Sequence, residues 1–509
     1  MRKFGHGLGF AAAAVALSVM ILGDMIAGAA WAQKYNTRGP SPNIGSRTPS
    51  GPSGQGPGYG PGGYGPRGPG FGAAVPGILL GIPNRGPPPG YVIDDGNFDD
   101  DIPGRRRPPQ NRSARRGGSG VPPANERRLL PDEVVVEVSN TMTPQRIAAL
   151  EQRHRLTRLE QQSVQLTGST MIRWRIPDRR SVAAVVRALE ADGSGTVSSA
   201  QPNYLFALQQ QAEPVKAVAG EPTQYANAKL RLALAHKISQ GDGVLVAVID
   251  SGIDTAHPEF AGVIAGTFNT LDPPEKPHAH GTGIAGLIAA RARLVGVAPA
   301  ARILGVTAFG ANSNGAQATT FNILKGLDWS AAQGARVINM SFAGPADPAI
   351  HRSLEAARKK GIVLIAAAGN AGPKSPPLHP AADANVIAVT ATDAEDKLFA
   401  ASNRGRHIAV AAPGVDILAP GPDASYQVSS GTSMSAAEVS GVVALMLARK
   451  PSLTPDAVRN ILLSTARDLG PKGRDDQFGA GLTDAYQAIM AIEPASASAV
   501  PSSLKQGRN

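Results

Sequence analysis

The 509-residue chain contains no cysteine. That excludes disulfide staples, thiolate metal sites, a cysteine nucleophile and acylation of the lipoprotein type. It does not exclude export, because a large domain can bury enough apolar surface to fold without cross-links. Beyond the N-terminal segment there is no apolar run near the ~20 residues that a bilayer span needs. An excess of one charge sign is missing where it would matter most. The net charge is +11, but residues 1–221 hold 25 Lys and Arg against 17 Asp and Glu, whereas residues 222–509 hold 25 against 22. The excess lies mostly in the first part, so the basic balance does not argue for a nucleic-acid partner.

What is present begins with an export pattern. Arg2 and Lys3 precede an apolar run from Leu8 to Gly23, and small residues lead to Ala30-Trp31-Ala32. Residues 1–32 read as a signal peptide cut after Ala32, which predicts a secreted or periplasmic product with no membrane attachment once mature. Asp24 interrupts the run and disfavours a stable span. Residues 33–128 are dominated by Gly, Pro, Ser and Arg, as in Gly56-Pro57-Gly58-Tyr59-Gly60-Pro61. Such composition buries too little apolar surface to offset its ordering entropy, so a disordered arm is expected.

Residues 129–210 follow the order β-α-β-β-α-β, which predicts a small α+β, ferredoxin-like domain. Its strands include Val134–Val138 and 197–208, and its helices include Pro144–His154 and Ser181–Ala191. No catalytic cluster lies within it. Residues 211–222 read as an exposed, cuttable linker. Residues 223–492 alternate apolar strands with helices, which predicts an α/β domain with a mostly parallel sheet. Residues 493–509 form a flexible tail.

In such sheets, sites form beyond the carboxyl ends of the strands. Four candidates stand there. Asp250 ends the apolar run Val246-Ala247-Val248-Ile249. His280 opens a helical stretch in His278-Ala279-His280-Gly281-Thr282-Gly283. Asn370 follows Ala366-Ala367-Ala368-Gly369. Ser433 sits in Gly431-Thr432-Ser433-Met434, ahead of an apolar helical pattern. Each has a plain alternative: a turn former or metal ligand for Asp250, half of a zinc pair with His278 for His280, a helix cap for Ser433. Together they supply what acyl transfer needs. Asp250 would orient His280, His280 would take the Ser433 proton, and Asn370 with the Ser433 backbone N–H would hold the oxyanion.

These ordered motifs, with Val337–Ser341 and Gly479-Ala480-Gly481-Leu482-Thr483-Asp484, make residues 223–492 resemble a subtilisin-like serine protease, a subtilase. The chain order Asp, His, Ser is the known order of that group. The resemblance implies a parallel-sheet α/β sandwich and endopeptidase activity on extended polypeptide. It implies that Ser341, Phe342, Ala343 and Gly344 pair with substrate backbone, with Ala308–Asn314 as the opposing edge and Leu378 near the base of the primary pocket. It also gives residues 129–210 a meaning, as a propeptide that assists folding and blocks the site until removed. A monomer with no cofactor is expected.

Two departures stand out. Many subtilases carry a calcium-binding insertion where this chain has only Ala289-Ala290-Arg291-Ala292-Arg293-Leu294, so that calcium site is expected to be absent and no metal site is assigned. Asp393, Asp396 and Asp475-Asp476 are the alternative acidic loops. After Ser433-Met434 the group has Ala-x-Pro-His, where this chain has Ser435-Ala436-Ala437-Glu438. A Glu438 carboxylate there is expected to weaken the positive potential at the helix start.

Overall fold

The computed structural model describes residues 119–208, 211–213, 224–312 and 315–492. The expected signal peptide, most of the arm, most of the linker and the C-terminal tail lie outside the described residues.

The N-terminal domain has the expected order: β1 (Leu129–Ser139), α1 (Pro144–His154), β2 (Thr157–Val164), β3 (Ser169–Arg175), α2 (Val182–Glu190) and β4 (Val197–Leu208), with a short β5 (Gln211–Glu213) beyond it. Thr143 and Ser181 cap the two helices by accepting from the N–H groups of Arg146 and Ala184. The apolar faces of both helices close on Val134, Val136, Val138, Ile172 and Trp174, so this domain has a core of its own.

The second domain starts with two short helices, α3 (Tyr225–Lys229) and α4 (Leu232–Ala235). Next come β6 (Leu245–Asp250), β7 (Ile264–Asn269), α5 (Ala279–Ala289) and β8 (Arg302–Thr307). The hairpin β9 (Gly310–Asn312) and β10 (Gly315–Thr319) leads to α6 (Thr320–Ala332), β11 (Val337–Met340), β12 (Phe342–Ala343) and α7 (Pro348–Lys359). After β13 (Val363–Ala367), β14 (Ile387–Thr392) and β15 (Ile408–Pro413) comes the hairpin β16 (Ile417–Pro420) and β17 (Tyr426–Ser430). Helices α8 (Thr432–Arg449), α9 (Pro455–Thr465) and α10 (Ala485–Met490) finish it.

Seven strands form one parallel sheet in the order β15-β14-β13-β11-β6-β8-β7. Its central strands are buried on both faces, which is why they read as unbroken apolar runs. One face is covered by α5, α8, α9 and α10, the other by α6 and α7. From β8 the chain returns through α6 to β11, crossing β6. The order therefore reverses at β6, and the crevice beyond its carboxyl end is a topological switch point. Asp250 is the last residue of β6.

Strand β4 belongs to two domains. Its first half pairs with β1, and its last residues pair antiparallel with β10 and β12 of the second domain. The edge opposite β12 is thus β10, which begins directly after the expected 308–314. Gly315-Ala316-Gln317-Ala318-Thr319 has few strand-favouring residues, and besides the short β9 its partner is β4 of the other domain, so no local apolar pattern marks it.

Candidate active site

Helix α8 brings Ser433 to the crevice. Its N-cap is Gly431, without a side-chain cap bond, and Ser433 is the second residue of the helix. The capping alternative therefore fails: the Ser433 hydroxyl donates to the Ser341 carbonyl at 3.2 Å, just past the end of β11. In return the Ser341 hydroxyl donates to the Ser433 carbonyl at 3.2 Å, and it accepts from the Asn339 amide at 2.9 Å. Ser440, two turns along α8, holds Asn339 Oδ1 at 3.0 Å. A buried polar network thus ties α8 to β11.

His280 opens α5 from the other side. His278 is the N-cap of α5, and its Nδ1 accepts the His280 backbone N–H at 3.2 Å. Among the described residues no group of three or more His, Cys, Asp or Glu side chains could hold a metal ion. His280 Nδ1 meets Asp250 Oδ1 at 2.7 Å, and both residues are buried. Asp250 Oδ1 also accepts the Ser251 N–H at 2.7 Å and its hydroxyl at 3.1 Å. The Ser251 oxygen then accepts the Gly281 N–H at 3.0 Å. Gly281 is required there, since a Cβ would fall 2.4 Å from the Ser251 carbonyl oxygen. His280 Nε2, the nitrogen on the far side of the ring, is buried without a hydrogen-bond partner.

Asn370 lies just beyond the end of β13. Its Oδ1 accepts the Thr432 N–H at 3.1 Å and the Thr432 hydroxyl at 2.8 Å, while the Gly369 N–H donates to that hydroxyl oxygen at 3.1 Å. With Oδ1 so held, the amide nitrogen of Asn370 is turned to the opposite side. Thr432 is a residue that sequence reasoning missed. Its place directly before Ser433 was the available signal.

Two walls flank the crevice. Phe342 pairs with Leu208 and Ala343 with Ala207, while Gln317, Ala318 and Thr319 pair with Ala207, Phe206 and Leu205. The end of β4 therefore lies as a middle strand between β12 and β10. Phe206 meets Phe342 edge-on, with ring centroids 6.0 Å apart, and Phe309 meets Phe342 at 5.0 Å. Gly344 leaves room for Phe206, because a Cβ there would lie 2.3 Å from the ring. Leu378 is buried, with Cδ1 3.2 Å from where a Gly369 Cβ would stand, and the next residue, His379, exchanges two backbone hydrogen bonds with Gly344.

Polar contacts fasten the N-terminal domain to the starts of α6 and α7. Gln201 donates to Asp347 at 2.7 Å and accepts the Ala349 N–H at 2.9 Å. Thr320 donates to the other Asp347 oxygen at 2.6 Å and accepts the Tyr204 N–H at 2.9 Å. Asn203 accepts the Phe321 N–H at 3.2 Å. Outside these lie the ion pairs Glu137–Arg352 and Glu160–Lys325, both at 2.6 Å. The Arg352 guanidinium and the Ser169 and Ser199 hydroxyls outweigh burial, which acts the other way, and hold the Glu137 carboxyl below its usual range.

Glu438 overturns one expectation. It is buried on α8, its Oε2 has no partner, and burial alone pushes its pKa up to about 8. It carries no charge at neutral pH and so cannot weaken the helix-start potential there.

The chain matches the family described as "Subtilase family" over residues 241–481. It is 33% identical to thermitase of Thermoactinomyces vulgaris over 275 residues, covering 52% of this chain and 96% of thermitase. It is 35% identical to subtilisin BL of Lederbergia lenta over 257 residues, covering 49% of this chain and 91% of that protein. Among solved structures, fervidolysin from Fervidobacterium pennivorans, a keratinolytic enzyme related to subtilisin, aligns with a TM-score of 0.61 at 23% identity. That alignment covers 71% of this chain and 61% of fervidolysin, and it shows the shared fold.

Proposed function

This chain belongs to the subtilase family of serine-type endopeptidases, and from that premise we propose that it is an exported enzyme made as a self-processed zymogen. Asp250, His280 and Ser433 are its triad and Asn370 its oxyanion donor. Residues 129–210 are its propeptide, and residues 1–32 direct export. Among the described residues no helix is long and apolar enough to cross a membrane.

The steps follow from the chemistry of these groups. The Ser433 hydroxyl swings from the Ser341 carbonyl towards His280 Nε2 and gives up its proton as its oxygen attacks the substrate carbonyl. Asp250 stabilises the resulting imidazolium through Nδ1. The tetrahedral oxyanion takes hydrogen bonds from Asn370 Nδ2 and the Ser433 N–H, at the positive end of α8. His280 returns the proton to the leaving amine, and a water repeats the sequence on the acyl-enzyme.

One observation carries the zymogen reading: the path of the chain's own backbone. β4 enters between the two walls as a substrate strand would, with Leu208 opposite Phe342. One residue further in register comes Ser341, whose carbonyl the Ser433 hydroxyl touches. The bond cut in self-processing therefore lies between Leu208 and Gln211. Production of the full chain beside Ser433→Ala tests this. The active chain is expected to release a fragment ending within residues 208–210, read by mass spectrometry, and the variant to stay whole. An unprocessed active chain that also fails to hydrolyse casein would sink the proposal.

Calcium is not part of this reading at the Ala289–Leu294 turn. The turn's N–H groups at Ala292, Arg293 and Leu294 donate to the Glu259 carboxylate at 2.8–2.9 Å, joined by the Tyr426 hydroxyl at 2.8 Å. Arg293 stands over the Tyr426 ring. The carboxylate's lone pairs are thus taken by hydrogen-bond donors. In the other acidic loops Asp396 pairs with Lys229 and Arg467, Asp393 Oδ1 accepts two backbone N–H groups, and Asp475 Oδ1 accepts two while its Oδ2 is buried without a partner. A chelator is expected to leave the melting temperature of the processed enzyme unchanged. A clear drop, restored by calcium, would refute this.

A further inference from the structure

The proposed oxyanion donor stands on a loop, and a loop moves unless something holds it. Asn370 lies between Gly369 and Ala371, beyond the end of β13. Its side-chain oxygen is held by Thr432, at the start of α8. The backbone on either side of it is held by a single residue, Asn403. The Asn403 N–H donates to the Gly369 carbonyl at 2.9 Å, and Asn403 Oδ1 accepts the Ala371 N–H at 2.9 Å. Asn370 is thus bracketed, one residue before and one residue after.

Asn403 is itself firmly seated. Its segment is tied to the body of the domain at both ends. The Phe399 N–H donates to the Ala391 carbonyl of β14 at 2.9 Å, and the Gly405 N–H donates to the Asp476 carbonyl at 2.8 Å. Between them the Ala401 carbonyl accepts the Gly372 N–H at 2.8 Å, which extends the same grip along the loop. The Asn403 side chain is fully buried and lies against Gly369, where a Cβ would fall 2.6 Å from Nδ2. The Ala371 N–H needs an acceptor, which sets the amide with its oxygen on that side. Nδ2 is then buried without a partner. An unpaired buried donor is destabilising, and an apolar side chain of the same shape would avoid it. Packing alone therefore does not call for asparagine here; the oxygen facing Ala371 does.

We infer that Asn403 is a positioning residue for the oxyanion donor: it holds the backbone on both sides of Asn370, so that the Asn370 amide is in place before negative charge develops. The inference rests on the proposed endopeptidase site and deepens it. A donor fixed in advance needs no reorganisation during the reaction, and much of its value to catalysis comes from that. Asn403 does no chemistry and acts through Asn370 alone.

The full chain is produced as Asn403→Leu, as Asn370→Ala and with both substitutions. Each is assayed for kcat and KM on an internally quenched peptide once its self-processing is complete. Asn403→Leu keeps the volume and removes the acceptor. It is expected to lower kcat by about tenfold with KM changed by less than about twofold, since the donor remains but loses its fixed place. Asn370→Ala is expected to lower kcat by about 10²–10³-fold, the range for loss of an oxyanion donor. With Asn370 already gone, Asn403→Leu is expected to cost less than about twofold more, because nothing is left to position. In the Ser433→Ala background the leucine variant is expected to melt within about two degrees of its parent, as the lost hydrogen bond and the removed unpaired donor offset each other. Asn403→Ala, which removes the acceptor without adding branched carbons, is expected to show the same kinetic pattern. Unchanged kcat in both Asn403 variants, or losses that multiply in the double variant, would overturn the inference while leaving the endopeptidase reading intact. So would a rise in KM without a fall in kcat. Full activity in Asn370→Ala would overturn the oxyanion assignment on which the inference rests.

Discussion

Replacing Asp250 by asparagine is expected to lower kcat by about 10⁴-fold, the size of loss found when the equivalent carboxylate is neutralised in other serine proteases. The physical reason is local. His280 and Asp250 are both buried, and the imidazolium formed during attack has this carboxylate as its direct charge partner at 2.7 Å. An amide keeps the shape but not the charge. Its oxygen can still accept from Ser251, so the turn that seats Gly281 survives and the melting temperature should move little. If the amide instead turns its nitrogen towards His280, the ring is driven to the tautomer with its proton on Nε2, where it cannot accept from Ser433. Both arrangements slow the same step. The convenient readout is self-processing, because it needs no separated propeptide: conversion of newly folded chain should slow in proportion to kcat. A loss smaller than about tenfold, in a protein of unchanged stability, would show that Asp250 does not support the base.

The four chemical groups were legible in the sequence because Asp250 and Asn370 sit where apolar strands stop, and His280 and Ser433 open helices. A buried parallel strand has to be apolar throughout, so a polar residue at its end is conspicuous; Asp250 after Val246–Ile249 is the clearest case. The helices α5 to α9 fit the expected alternation of apolar strands with helices over residues 223–492, and side chains such as Asp347 and Thr454 cap their starts. Less visible was anything that depends on a partner from elsewhere in the chain. β10 pairs with β4 as well as with its short hairpin partner β9, and β7 is an edge strand whose half-exposed pattern lacks an apolar run. The pairing of β5 with β17 brings together residues more than 200 positions apart, and nothing local predicts it. Glu438 was misread for another reason. A charged residue on a helix ordinarily marks the solvent side, but α8 is buried on every side from Thr432 to Leu447.

That burial makes Glu438→Gln the substitution with the largest expected effect on stability. In the unfolded chain the carboxyl ionises near pH 4.5; in the folded protein it does so only near pH 8. Below pH 4.5 both states hold the proton and the group is neutral in its effect. Between the two values the unfolded chain releases a proton that the folded one keeps, so folding stability falls as pH rises, by about 1.4 kcal/mol per pH unit. The loss is complete above about pH 8 and totals on the order of 5 kcal/mol as an upper bound. Among the described residues burial alone sets this shift, with no cation contributing. The Tyr225 phenol on α3 is coupled to Glu438: burial first, and then the Glu438, Asp393 and Asp416 carboxyls, push it up. Lys229, the nearby cation on α3, is already paired with Asp396. Glutamine has nearly the same shape and no proton to lose. In the Ser433→Ala background, which prevents self-digestion, Glu438→Gln is therefore expected to match the parent near pH 4 and to melt well above it at pH 9, by on the order of ten degrees for a domain of this size. An equal shift at both pH values would mean that the gain comes from packing. No shift at pH 9 would mean that the carboxyl finds a partner once charged. Activity separates the two roles of α8: because Glu438 is neutral at pH 7, the substitution should leave kcat there unchanged, and any gain in rate should appear only as pH passes 8.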